Sequence, residues 1–235
     1  MGEMISYRSN GGTSEGYLAV PEAAGDASVP GIVLIQEWWG LVGHITSVAD
    51  RLASAGFLVL APDVFHGRTA REPDEAQKLL MGLAMDQAAK DIAGAAAYLA
   101  TRPECSGAVG TVGFCMGGSL ALWAGTLSQH ITAVVAFYPA VPWERMRPSW
   151  QNYSGKAALI HADEHEGGSA APGIQQARQL ISDAGGDVTA YDYAGTGHAF
   201  FNDDRPEVYD EAAALLSWDR TLTFLHDRLE GRAGS

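Results

Sequence analysis

The chain has 235 residues, 47% of them hydrophobic and 18% charged, a globular composition that fits one domain over 1–235 with a sizeable core. Against 28 acidic side chains stand 15 basic ones, a formal charge of −13, which argues against nucleic acid or an anionic membrane as the main partner, since both require a basic face. An anionic ligand would be repelled at long range and would need its own local arginine or lysine; otherwise the charge serves solubility. Two cysteines, Cys105 and Cys115, are too few for a disulfide framework and suit a reducing cytoplasm. Residues 1–7 lack the basic-then-apolar pattern of an export signal, and the longest apolar runs, such as 31–35 and 133–137, are too short to span a bilayer. The expectation is a soluble, cytoplasmic protein, a monomer or small homo-oligomer.

In chain order, residues 4–8 and 13–20 read as an antiparallel edge pair, followed by a loop rich in Ala, Gly and Pro over 21–30. Short apolar strands then follow at 31–36, 57–61, 108–113, 133–138, 157–161 and 188–193. Amphipathic helices read at 45–55, 73–82, 87–101, 117–127, 172–184 and 205–229. Continuous apolar strands alternating with helices imply an α/β architecture, a mostly parallel sheet covered on both faces. In such sheets functional groups gather beyond the carboxyl ends of the strands, here just after Gln36, Gly113, His161 and Tyr193.

After the β-branched run at 109–112 the chain enters Gly113-Phe114-Cys115-Met116-Gly117-Gly118 and leaves in a small-residue helix. That is the layout of a nucleophile elbow, with a thiol where most carry a serine. Gly113 and Gly117 remove side chains that would crowd the turn, Gly118 lets the helix pack close, and the unpaired N–H groups opening the helix face the thiol. On its own the segment also fits a glycine-rich turn holding an inert, buried cysteine.

The other strand ends weigh against that alternative. Glu37, Trp38, Trp39 and Gly40 follow the first parallel strand; Asp163, Glu164, His165 and Glu166 follow 157–161; Gly197 and His198 follow 188–193. Nucleophile, acid, histidine is the chain order of an α/β-hydrolase triad. A thiol becomes a good nucleophile only on losing its proton, so a histidine must take it, and that histidine needs an acceptor on its other nitrogen. His198 is the candidate base, and Glu166, with Asp163 as runner-up and Glu164 behind it, the candidate acid. His44, His66, His130 and His226 read as core or surface residues. His161 and His165 among these carboxylates resemble a metal cluster only weakly, because paired metal histidines at that spacing need a helix. No metal or cofactor is expected.

With these residues in view the chain resembles the dienelactone hydrolase (carboxymethylenebutenolidase) family of α/β-hydrolases over nearly its whole length. The resemblance rests on Gln36-Glu37-Trp38-Trp39-Gly40, Ala61-Pro62-Asp63, the Cys115 elbow, Gly197-His198-Ala199-Phe200, and a last helix with Ala213 and Trp218-Asp219-Arg220-Thr221. It implies an α/β-hydrolase fold and hydrolysis of a small ester or lactone through a thioester. It also implies a gating role for Glu37, which accepts a hydrogen bond from the resting thiol, and an oxyanion hole from the main-chain N–H groups of Met116 and Trp38. Two departures stand out. The family's acid is usually aspartate, and the matching place here is Glu166. The family's arginine four residues after the histidine is Asn202 here, so a carboxylate clamp would fall to Arg205, Arg68 or Arg71, which otherwise read as solvated surface. Trp39, Phe65, Tyr138, Phe200 and Asn202, with Trp38, complete the expected pocket lining. The rivals are a general esterase of neutral esters on the same scaffold and a non-hydrolytic thiol protein.

Overall fold

A computed structural model describes residues 1–9, 12–22, 28–140 and 143–230. Its centre is an eight-stranded sheet in the order β1-β2-β4-β3-β5-β6-β7-β8. Strands β1 (Glu3–Ser9) and β2 (Gly12–Ala19) form the antiparallel edge, and β2 joins β4 (Leu58–Pro62) antiparallel. From there β3 (Val29–Ile35), β5 (Cys105–Phe114), β6 (Ile131–Phe137), β7 (Ala157–Asp163) and β8 (Asp187–Tyr193) run parallel. Residues 23–27 of the loop expected at 21–30 lie outside the described residues.

The alternation of each strand sorts its side chains into two apolar layers. Val33, Ile35, Val134 and Ala136 meet helices α3 (Met85–Ala100), α4 (Met116–Leu127) and α5 (Pro172–Asp183) on one face. Ile32, Leu34, Val112 and Val135 meet α1 (Gly43–Ser54) and α6 (Glu211–Leu229) on the other. The short α2 (Pro73–Met81) lies outside, with Ala76 its one buried residue. Nearly every residue of α4 is buried, consistent with its apolar circumference. Its last carbonyls are met by side chains in place of a glycine cap. Asn152 donates to Thr126 O, Tyr153 to Leu122 O, and the Lys156 ammonium to both Gly125 O and Ser128 O. Burial lowers the Lys156 pKa to about 8.

Element types follow the sequence expectation, with one boundary that moves substantially. The last helix begins at Glu211 and not at 205, because Asp210 caps it through Ala213 N–H at 2.9 Å, while residues 205–209 turn on Asn202 O and Arg205 O. Three single 3₁₀ turns, Trp143–Arg145, Trp150–Tyr153 and Gly168–Ala170, have no counterpart in the periodicity.

Candidate active site

The elbow forms where β5 meets α4. Cys115 has φ 56° and ψ −119°, outside helix and strand space, and its N–H is held by Phe137 O at 3.0 Å. Its carbonyl accepts the Gly118 and Ser119 N–H groups and starts the helix. A Cβ on Gly113 would overlap the Gly117 carbonyl, and one on Gly117 would overlap the carbonyls of Ile35 and Gln36. Those two glycines are therefore required by space, as the crowding argument expects.

The partly exposed thiol has its pKa pushed up, first by desolvation and then by the nearby charge of Glu37. The Met116 N–H acts the other way, stabilising negative charge on the sulfur, as does the more distant Arg205.

His198 arrives on the loop after β8, next to Ala199 at φ 68°. Its Nδ1 lies 3.1 Å from Glu166 Oε2 and 3.9 Å from Asp163 Oδ2, so only the glutamate is at hydrogen-bond distance. The two carboxylates differ in setting. Asp163 is buried at the end of β7, its pKa raised chiefly by desolvation, and its Oδ1 accepts the Glu166 N–H at 2.9 Å. The Glu166 side chain is 56% exposed. One ligand atom from each of Asp163, Glu166 and His198 falls within a 4.8 Å group, a donor set a divalent cation would also accept. His161 takes no part. It is fully buried, its ring nitrogens 2.7 Å from Tyr193 OH and 3.0 Å from Thr221 Oγ1, and burial lowers its pKa to about 3.

Glu37 follows β3 and is 2% exposed. Asn202 Nδ2 donates to its Oε2 at 2.7 Å, and Tyr138 OH donates to its Oε1 at 3.4 Å. Asn202, expected as a substrate contact, thus spends its amide on Glu37. Tyr138 is also buried, at φ 36°, with its ring 5.0 Å from that of His198. Trp38 and Trp39 are half-buried and meet edge to face at 5.2 Å, and the Arg205 guanidinium lies 5.4 Å above Trp39.

The other expected pocket residues are divided between the core, the surface and the neighbourhood of Cys115. Phe65 is fully enclosed in the apolar layer shared with α3, and Phe200 is fully enclosed between Tyr138 and Tyr193. Arg68 turns its Nε back to Phe65 O, and Arg71 lies exposed beside Glu75. Arg205 is the arginine whose charge reaches Cys115, although it is ion-paired with Glu207 at 2.8 Å.

Two histidines assigned to core or surface have more specific places. His44, buried at the start of α1, pairs with Asp203 at 3.0 Å, one residue beyond Asn202. His66, at φ 53°, pairs with the buried Asp91 at 3.2 Å. His66 belongs to the loop after β4, which Asp63 organises through the N–H groups of Phe65 and Gly67 and which bonds Trp39 O through Ala70 N–H. A lone histidine followed by no motif gives no sign of such pairing in sequence.

The same arrangement of chain is found in known proteins. Protein usf of Aquifex pyrophilus is 33% identical over 97% of this chain and 100% of its own. The carboxymethylenebutenolidase of Pseudomonas putida is 28% identical over 95% of both chains. Among solved structures, a dienelactone hydrolase-like promiscuous phosphotriesterase from metagenomic libraries superposes with a TM-score of 0.78 at 20% identity, over 97% of this chain and 98% of the other, a likeness of fold. The model of the dienelactone hydrolase family matches residues 14–229, nearly the whole described sheet and all six helices, and the chain belongs to that family.

Proposed function

We propose that this protein is a cysteine-dependent hydrolase of a small ester or lactone, with Cys115 as nucleophile, His198 as base and Glu166 as the acid that orients the base. Family membership supplies the reaction class, hydrolysis of a carboxylic ester. The observation that carries the cysteine assignment is the backbone of Cys115. A non-glycine residue held at φ 56° with a main-chain N–H at its sulfur is a strained arrangement that a merely space-filling cysteine has no need of.

In this reading the thiol rests protonated, since burial and Glu37 both disfavour the thiolate. His198 Nε2 takes the S–H proton as sulfur bonds to the carbonyl carbon, and the Nδ1 proton stays shared with Glu166. The Met116 and Trp38 N–H groups receive the oxyanion. Collapse breaks the C–O bond, and His198 passes its proton to the departing alkoxide. Water then attacks the thioester carbonyl and gives a proton to His198; collapse breaks the C–S bond, the carboxylic acid leaves, and His198 returns the proton to the sulfur.

One observation favours neutral esters over anionic ones. Asn202 stands where the resemblance expects an arginine and is engaged by Glu37, while Arg205 is already paired with Glu207. The cytoplasm remains the proposed compartment, supported by two unpaired cysteines.

Turnover of an aryl acetate by Cys115→Ala tests the core of the reading. The variant should lose at least about a thousandfold in kcat, as nucleophile removals do. Intact-mass measurement of the wild type should show a transient acetyl adduct on Cys115. Full activity in the variant would overturn the assignment.

A further inference from the structure

A buried carboxylate normally has a cation beside it, but among the described residues Glu37 has two hydrogen-bond partners and neither is a cation. Both are neutral, the Asn202 amide at 2.7 Å and the Tyr138 hydroxyl at 3.4 Å. An arginine in place of Asn202 would cancel the charge. An amide orients it and leaves it whole. Asn202 is itself fixed: it is 3% exposed, its N–H bonds Ala199 O at 2.9 Å, and its Oδ1 accepts the Asp204 N–H at 3.1 Å. With Oδ1 on the Asp204 N–H, the nitrogen is the end of the amide that faces Glu37, and one of its two N–H bonds is donated there.

We propose that Asn202 is a positioning residue that pins the Glu37 carboxylate in a single orientation beside Cys115 and acts on the thiol only through Glu37. The inference rests on the reading of Cys115 as nucleophile and adds to it that the Glu37 carboxylate is held by a residue of the same loop that carries His198. Asn202 lies four residues past His198, so a displacement of that loop moves the base and withdraws the clamp together. The charge so held is the second cause, after desolvation, of the raised thiol pKa.

The test is the alkylation rate of Cys115 by iodoacetamide between about pH 6 and pH 9. It would be read on the Cys115 peptide by mass spectrometry, in wild type, Asn202→Leu, Glu37→Gln and the double variant. Without the Nδ2 donor the Glu37 carboxylate is free to turn away from the thiol, so Asn202→Leu should remove its influence much as Glu37→Gln does. Each single variant should then raise the rate near neutral pH about tenfold, the equivalent of one pKa unit. In the Glu37→Gln background the leucine should change the rate by no more than about twofold. An unchanged or slower rate in Asn202→Leu, or an equal acceleration in the Glu37→Gln background, overturns the proposal. Asn202→Ser, which loses the donor's reach without adding apolar bulk, gives the same comparison if the leucine variant fails to fold. Alkylation requires no turnover, so its outcome is independent of whether Cys115→Ala abolishes ester hydrolysis.

Discussion

At His198 two carboxylates lie near Nδ1, and only one of them is at hydrogen-bond distance. Glu166 lies 3.1 Å away with its side chain largely in water, whereas Asp163, 3.9 Å away and buried, is pushed toward the protonated form. On the proposed mechanism, Glu166 is therefore the better partner for a developing imidazolium, while Asp163 ties down the Glu166 main chain. Replacing Glu166 with Ala should cost roughly 10- to 100-fold in kcat/KM, Asp163→Asn less, and the two together should approach the roughly 10⁴-fold loss of a triad without its acid. Steady-state kinetics on the three variants checks this. A greater loss in Asp163→Asn than in Glu166→Ala would transfer the role to the aspartate. Sequence spacing leaves both carboxylates open for a physical reason. The tight turn after β7, with Gly167 at φ 93°, delivers positions 163 and 166 to the same side, and no periodicity separates them.

At the scale of elements, one buried histidine joins three of them. His161 on β7 bonds Tyr193 at the end of β8 and Thr221 on α6, and its ring lies 4.4 Å from that of Phe137 on β6. It folds neutral, with its pKa lowered to about 3 by burial and, secondarily, by the charge of Arg220. Unfolded, it titrates near an ordinary value of about 6.5. The native state therefore binds fewer protons between these values, so the stability it contributes is complete above pH 6.5 and is lost as pH falls toward 3. The slope is at most about 1.4 kcal/mol per pH unit. Urea titrations at several pH values should show a shallower acid dependence in His161→Gln than in wild type, and equal slopes would refute the argument. The elements themselves were legible wherever an apolar run or a 3.6-residue period was long. The strands at the core of the sheet and the helices on both faces emerge at their expected places. The start of α6 was not legible, because the apolar spacing continues back through Val208 and Tyr209 while the real stop is a capping bond from Asp210. Nor was the meeting of Asn202 with Glu37, since a contact between two loops leaves no local signature.

For the whole molecule the dominant electrostatic fact is a net charge of −13. Such a surface repels anions over about one Debye length, roughly 10 Å at 0.1 M salt, and leaves neutral molecules unaffected. Added salt should raise kcat/KM for an ester bearing a carboxylate and leave that for an aryl acetate constant. A fall with salt for the anionic ester would instead reveal a local cation, with Arg205 the first candidate, outweighing the global field. Charge, sheet type and the identities at four strand ends could be read directly, whereas whether Arg68, Arg71 or Arg205 faces the thiol depends on loops that only the folded chain arranges.

The hydrogen bond between Glu37 and Asn202 joins positions 165 residues apart. Closing a loop of that length costs on the order of 4.5 kcal/mol in chain entropy, more than one hydrogen bond to a charged group returns. The closure must come from the sheet, whose parallel strands are laid side by side before these two side chains can meet. The reacting centre is thus a passenger on a scaffold that does not depend on it. Polar residues within it can therefore change, Asn202 among them, without disturbing the strand order that brings them together.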